Sequence, residues 1–204
     1  LLTHNVWWYT SAKAVRQLAD AEGSGATQEQ KDWLDSRMKS IEDNFYKFWN
    51  GDLQAYAVPW SESSWTNATS LKNGSHVVDD RMNALGVICG LIPEEKYPAM
   101  RNVFMGTENS PSYENASIYM EKYVIEALYK MGYAEDAMQR SAKRHMDMVN
   151  EKEISAMPEH WDYRTNGSVG HGWSGGGMIA MSRYAAGIEP TEPGYVAWHV
   201  IPQM

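Results

Sequence analysis

The fold is decided by a stretch that runs from residue 110 to residue 149, SPSYENASIYMEKYVIEALYKMGYAEDAMQRSAKRHMDMV. Its apolar residues recur at intervals of three to four positions, which is the spacing of amphipathic helices. Ser110 and Pro111 suit the start of one helix, Gly132 suits its C-cap, and a second helix is predicted from about Ala134 to Val149. Because so few residues separate them, the two helices are expected to form an antiparallel pair.

The same period continues through most of the chain, so strands are expected to be scarce. Five further helices are predicted: residues 4–22, a helix with a capping box at Thr27 and Gln30, a helix from Asp79 or Asp80 to Gly90, a helix after Pro93, and a helix from about Ser174 to Gly187. On the second helix, the residues expected to be buried are Trp33, Leu34, Met38, Ile41, Phe45 and Phe48. On the sixth helix, the basic residues are expected to face solvent: Arg140, Lys143, Arg144 and His145. The tail after Pro193 and Gly194 alternates apolar residues with others, which predicts one C-terminal strand.

The connections between the predicted helices alternate in length. Short turns follow the first, third and fifth helices, whereas longer links lead into the third, fifth and seventh. In a stack of antiparallel helix pairs the long links gather at one rim, beside helix N-termini whose partial positive charge favours carboxylates and hydroxyl-rich ligands. Such pairs either close into a toroid or continue as a solenoid, and the chain lacks the repeat motifs of common solenoids. We therefore expect an all-α fold in which antiparallel helix pairs form part of a toroid, with a short C-terminal strand.

Composition excludes several classes of partner. The 204 residues carry a formal net charge of -8, and a negative field of this kind opposes binding to nucleic acid and to anionic membranes. Cys89 is the single cysteine, so a disulfide or a thiolate metal cluster within the chain is excluded. With 9 tryptophans and 12 tyrosines against 3 phenylalanines, most aromatic rings carry a polar group, which suits wet grooves.

The candidate site lies in residues 158–177, PEHWDYRTNGSVGHGWSGGG. Glu159 is the candidate catalytic residue, because glycoside hydrolysis needs carboxylates to activate water and to protonate the leaving group. Trp161 and Trp173 are candidate platforms for the apolar face of a sugar ring, and His171 is a candidate donor to a sugar hydroxyl. The alternatives are a solvated glutamate, tryptophans that fill the core, and a histidine that only holds the loop.

A metal site can also be assembled from this segment, using His160, Asp162 and His171. Their spacing matches no dedicated metal site. The glycines at 175–177 do not form a dinucleotide or phosphate-binding motif either, because no strand precedes them and no lysine follows. Neither a metal nor another cofactor is expected.

The motifs ISAMPEHWD, GHGWSGGG, YAAGIEPTEPGY and the terminal VIPQ together resemble the end of the catalytic domain of bacterial α-L-rhamnosidases. The likeness extends over DDRMNALGVICGLIPEE and the 110–140 stretch, and more faintly over the first helix pair. The resemblance implies a six-hairpin (α/α)6 toroid followed by a β-sandwich, and hydrolysis with inversion. It also implies that Glu159 is the general base and that His171 contacts the sugar. Pro158 stands where the family pattern usually has tryptophan.

The resemblance further implies how the chain is divided. Residues 1–190 correspond to the C-terminal portion of the toroid, and residues 191–204 to a linker and the first strand of the following β-sandwich. The family's general acid lies on earlier helix pairs, so this chain alone is expected to hydrolyse an aryl rhamnoside little or not at all. The expected partner is a carbohydrate, a rhamnoside or a related glycoside. Apolar faces exposed at the ends of a partial toroid are expected to favour a homodimer. The compartment, whether periplasmic, secreted or cytoplasmic, stays open.

Two other functions remain open at the level of sequence. One is a non-catalytic carbohydrate-binding or structural helical module that has the fold without the chemistry. The other is a six-hairpin hydrolase or lyase for a different sugar, such as a uronic acid. The latter would need a cationic pocket, for which Arg81 and Arg164 are the available arginines near the rim.

Overall fold

The computed structural model describes residues 2–59, 76–106, 113–150, 156–164 and 168–204. These residues are mostly helical, and their α-helices are α1 (Leu2–Asp20), α2 (Gln28–Phe45), α3 (Asp80–Cys89), α4 (Tyr97–Gly106), α5 (Glu121–Lys130), α6 (Ala134–Asn150) and α7 (Gly176–Ala180). The strands are β1 (Trp49–Asn50), β2 (Ala55–Pro59), β3 (His76–Asp79), β4 (Tyr113–Glu114), β5 (Ile188–Pro190) and β6 (Trp198–Val200). None of the described helices has both the length and the apolar character needed to cross a bilayer.

Several helix ends follow the predicted capping signals. Thr27 and Gln30 form both hydrogen bonds of a capping box at the start of α2. Asp79, rather than Asp80, is the N-cap of α3, and its carboxylate accepts a hydrogen bond from the backbone N–H of Arg81. Gly90 ends α3 in the left-handed conformation with φ 84°, which glycine adopts without steric cost.

The helices of the 110–149 stretch form the predicted antiparallel pair. Helix α5 begins only at Glu121, whereas the predicted start at Ser110 and Pro111 lies outside the described residues. Gly132 lies directly after the C-cap residue, Met131, and has φ 84°. Helix α6 has the predicted bounds within one residue.

The seventh predicted helix is divided into short turns. Residues Gly172–Gly175 form a 3-10 turn, α7 follows, and Met181–Ala185 form a π-helical turn. Consecutive glycines explain the irregular start, because each glycine loses more backbone entropy in a helix than alanine does. The segment ends at Gly187, where a Cβ atom would overlap the backbone carbonyl of Ile201.

The strands correct the expectation of an all-α fold with a single strand. The first four strands form one sheet in the order β1-β2-β3-β4, in which β3 and β4 are parallel and the other neighbours antiparallel. These strands were missed because each has two to five residues, too few for an alternating pattern to be recognised. The predicted C-terminal strand is present as β6, which pairs with β5 in a hairpin. The fold is therefore mostly helical with two small sheets.

The helices pack in two layers. One layer is the row α1, α3, α5 and α7, in which each helix contacts the next. The other layer consists of α2 against α1, α4 against α3 and α5, and α6 against α5. The largest fully buried apolar side chains of the main core include Leu85, Ile92, Phe104, Leu128 and Tyr129.

Helix α2 is more exposed than its sequence pattern predicts. Phe45 is buried, but Trp33 is 52% exposed. Its ring contacts Trp8 of α1 in a T-shaped arrangement and lies under the guanidinium of Arg37. The prediction that Trp33 is buried is therefore wrong. The physical reason is the position of α2 in the outer layer, where a single neighbouring helix covers only one side of it.

Candidate functional site

The segment that carries Glu159 is closed on itself by backbone hydrogen bonds. The N–H of Glu159 donates to the carbonyl of Ser168 at 2.9 Å, and the N–H of His171 donates to the carbonyl of Met157 at 2.7 Å. These two bonds run in opposite senses between the ends of the segment. They bring Glu159 and His171, which are far apart along the loop, to the same place.

Glu159 lies between two imidazoles. Its Oε2 atom is 3.8 Å from Nδ1 of His171, and its Oε1 atom is 3.7 Å from Nε2 of His160. These distances are longer than hydrogen bonds, so each contact gains strength only when the imidazole is protonated. The carboxylate is partly exposed, and water can therefore reach it.

Ser168 fixes the orientation of this pair. Its hydroxyl oxygen lies 2.8 Å from Nδ1 of His171, and its backbone N–H donates a long, weak hydrogen bond of 3.4 Å to Glu159 Oε2. Since Nδ1 is engaged within the loop, Nε2 is the ring nitrogen of His171 that a ligand would use. Sequence reasoning missed Ser168, although its position three residues before His171 in a glycine-rich loop was a usable signal.

Trp173 forms an aromatic surface next to this pair. Its side chain is 57% exposed, and its ring centroid lies 4.3 Å from that of His171 and 5.1 Å from that of Tyr119. Tyr119 precedes α5 and is itself partly exposed. The structure thus brings Trp173, His171 and Glu159 together, and it adds Tyr119, which the sequence analysis had placed inside a helix.

Trp161 has a different environment. Its indole N–H donates to the carbonyl of Ala116 at 2.9 Å, the Arg144 guanidinium lies 4.6 Å from its ring centroid, and the His145 ring contacts it edge-on at 5.2 Å. With Met157, it packs against a small buried cluster of Ile118, Met148 and Tyr163. Trp161 therefore matches the alternative of a tryptophan that fills the core. It connects the loop to the residues that precede α5.

A buried ionic network lies below this loop. Arg140 is 5% exposed, and it donates to Glu121 at 2.6 and 2.9 Å, to Asp80 at 2.9 Å and to the carbonyl of Phe104. Arg144 donates to Glu121 at 3.0 Å and to the Ala116 carbonyl at 2.9 Å. The prediction that these two arginines face solvent is wrong. They pack instead against Asp80 and Glu121, the acidic residues at the starts of α3 and α5.

The network changes the acidity of its members. Burial raises the pKa of Asp80 to about 6, opposed by the charge of Arg140 and reinforced by that of Glu121. Burial alone would lower the pKa of Arg140, but the nearby carboxylates of Glu121 and Asp80 outweigh it and raise that pKa. The guanidinium of Arg140 is therefore charged at neutral pH.

These contacts bring described residues that precede or begin α3, α5 and α7 close together. The starts of α3 and α5 share Arg140, and β3 and β4, which precede those helices, are neighbours in the sheet. Arg144 and Trp161 join the link before α7 to the same place. The candidate site therefore lies next to a cluster of contacts that links the starts of α3 and α5 to the loop before α7.

A cavity of about 370 Å³ lies next to the candidate site, and its lining includes Met157, Ser174 and Gly175. Glu159 and His171 are not among the described residues that line it. A general base that acts on a bound sugar is expected to line the cavity that holds the sugar ring. The structure instead places it on the partly exposed surface formed with Trp173, beside that hollow.

The described residues include no group of three or more histidine, cysteine, aspartate or glutamate side chains arranged to hold a metal ion. Comparisons of the chain with models of known protein families and with curated proteins find no match.

Proposed function

We propose that this chain carries the sugar-binding and general-base part of a glycoside hydrolase site of the α-L-rhamnosidase type. The observation that carries the proposal is the grouping of a carboxylate, an imidazole and an exposed indole: Glu159 at 3.8 Å from His171, and His171 against Trp173 at 4.3 Å. Sugars are recognised by this combination, because an aromatic face packs on the apolar side of the ring while polar groups bind its hydroxyls.

In the proposed mechanism Glu159 removes a proton from a water molecule, which attacks the anomeric carbon on the face opposite the leaving group. The imidazole of His171 binds a sugar hydroxyl through Nε2, and Trp173 supports the ring. Inversion also needs a second carboxyl group, about 6.5–9.5 Å away, that protonates the leaving oxygen. The proposal assigns only the base to this chain's described residues.

The helix packing supports the same proposal. A row of odd-numbered helices backed by even-numbered ones is the arrangement expected of an arc of an (α/α)6 toroid, with the long links at one end. We propose the toroid portion to be residues 1–190 and the start of a β-sandwich to be residues 191–204. The β5–β6 hairpin joins both sides of that boundary.

Sugar binding tests the proposal without requiring the second carboxyl group. L-Rhamnose is titrated into the chain, and binding is followed by saturation-transfer NMR and calorimetry. Trp173→Ala is expected to weaken binding several-fold or more, since aromatic contacts of this kind contribute about 0.5–1.5 kcal/mol beyond area burial. Trp198→Ala is the matched control, because Trp198 is 60% exposed on β6 and lies outside the proposed site. Equal binding by the two variants, or none by the unaltered chain, contradicts the proposal.

The alternative of a non-catalytic carbohydrate-binding module is favoured by one observation, the position of Glu159 outside the lining of the neighbouring cavity. Glu159→Gln discriminates between the two functions. A base that also orders water and sugar hydroxyls is expected to change both binding and turnover when its charge is removed. If the variant binds L-rhamnose as the unaltered chain does, and neither protein hydrolyses α-L-rhamnosyl fluoride, whose fluoride leaves with little protonation, the module is the better description.

A further inference from the structure

We propose that the cavity beside the candidate site binds a small, neutral, mainly apolar molecule that carries a hydroxyl group. The cavity has a volume of about 370 Å³, which is within the range of small-molecule pockets, 300–1,000 Å³. It lies between α6, α7 and the segment that precedes Glu159. Because Glu159 and His171 do not line it, this inference stands apart from the proposed sugar site.

The lining determines the chemistry of the ligand. Four of its side chains are the methionines Met148, Met157, Met178 and Met181. Methionine is flexible and polarisable, and it adapts to flat or irregular apolar groups, aromatic rings included. No aspartate, glutamate, lysine or arginine occurs among the described lining residues. A charged ligand would therefore lose its hydration without gaining a counter-charge.

Ser174 supplies the polar element of the cavity. It is 1% exposed, and its hydroxyl has no hydrogen-bond partner within the described part of the chain. A buried hydroxyl without a partner has lost its hydration without compensation, so a ligand that completes its hydrogen bond gains binding free energy. The unpartnered hydroxyl is the observation that distinguishes this cavity from a packing defect.

His145 provides a second polar group in the lining. Its Nδ1 atom lies 2.8 Å from the carbonyl of Ser141, and only a protonated Nδ1 can donate to that oxygen. In the neutral ring, Nε2 is then an acceptor. A ligand hydroxyl is suited to such a cavity because it donates to an acceptor of this kind and accepts from the Ser174 hydroxyl.

The backbone leaves room for the ligand. At Gly175 an added Cβ atom would meet nothing within 4 Å, and at Gly177 it would lie 3.9 Å from Ile125 Cδ1 and 4.0 Å from His145 Cε1. Met178 and Val149, both about four-fifths exposed, lie in the lining where it meets solvent. The cavity is thus open to a ligand from one side.

The test uses a pair of probes that differ only in the hydroxyl group, 2-naphthol and naphthalene. Each is titrated into the full chain labelled with 13C at the methionine methyl groups. Saturable shifts are expected for the methyls of Met148, Met157, Met178 and Met181. The methyl of Met100, a buried residue of α4 that does not line the cavity, is expected to stay unchanged. An absence of shifts at the four lining methyls, or equal shifts at Met100, overturns the proposal.

Two variants complete the test. Ser174→Ala is expected to weaken 2-naphthol about fivefold, the equivalent of one hydrogen bond of about 1 kcal/mol, and to leave naphthalene unchanged. It is not expected to lower the melting temperature, since it removes an unpartnered polar group. Gly177→Val is expected to weaken both probes at least fivefold, because the added side chain occupies space that the probe would fill. If Ser174→Ala affects both probes equally, or if Gly177→Val affects neither while remaining folded, the assignment is wrong.

Discussion

Arg140→Met is expected to destabilise the protein by about 3–5 kcal/mol, the usual effect of removing one partner from a buried ion pair. Arg140 is 5% exposed, while Asp80 and Glu121 are each 1% exposed. After the substitution Glu121 retains Arg144 at 3.0 Å, but Asp80 loses the guanidinium that lies 2.9 Å from its carboxylate. About 2 kcal/mol of the lost free energy is therefore assigned to Asp80, because a carboxyl group with a pKa of about 6 can take up a proton at about that cost near pH 7.5.

This assignment is testable by a second substitution. Adding Asp80→Asn to Arg140→Met removes the stranded charge and keeps the shape of the side chain. The double variant is expected to regain about 2 kcal/mol relative to Arg140→Met, so the two effects are strongly non-additive.

The assay is urea unfolding at pH 7.5, followed by tryptophan fluorescence and far-UV circular dichroism. Arg16→Met is the control, because Arg16 pairs with Asp20 and Asp35 on the exposed surface of α1 and α2. It is expected to change the free energy of unfolding far less than Arg140→Met does. If the two arginine variants lose the same stability, or if the double variant is no better than Arg140→Met, the buried network does not have the proposed energetic role.

Two further predictions concern stability. The pKa of Asp80 is raised to about 6 in the folded state, above the ordinary value of 3.8, so the corresponding stability is present below about pH 4 and is lost as the pH rises through 6. The Asp80→Asn variant has no carboxyl group to ionise at this position. Its unfolding free energy minus that of the unaltered chain should therefore grow by about 2 kcal/mol between pH 4 and pH 7, and a constant difference refutes this. Gly187→Ala should lower the melting temperature much more than Gly23→Ala does. Both glycines have positive φ, but only at Gly187 would the added Cβ atom overlap a neighbouring carbonyl, that of Ile201. Equal losses would show that the Ile201 contact has no effect.

The local features of the fold were predictable from sequence because their signals are local. The capping box of α2, the glycine that ends α3 and the bounds of α6 each depend on residues within one or two turns of the helix. The four-stranded sheet was not predictable in the same way. Its strands are short, and the parallel pair β3–β4 joins segments that lie more than thirty residues apart in the sequence.

The site was predictable only in part for the same physical reason. Glu159 and His171 belong to one loop, so their proximity could be expected from the sequence. The contact between Tyr119 and Trp173 depends on how the residues preceding α5 and α7 pack, which no local pattern encodes. Arg140 and Arg144 look like solvent-facing residues on a helix, because the carboxylates that bury them come from distant segments.

The central claim, that Glu159 is the base of a sugar-hydrolysing site, is tested most directly with α-L-rhamnosyl fluoride. Fluoride leaves with little protonation, so its hydrolysis depends on the base and hardly on a general acid. The first sugar formed, followed by NMR of its anomeric proton, is expected to be β-L-rhamnose, and Glu159→Gln is expected to slow its formation by about 10²–10⁴-fold. Hydrolysis at the uncatalysed rate, or an equal rate in Glu159→Gln, would contradict the claim.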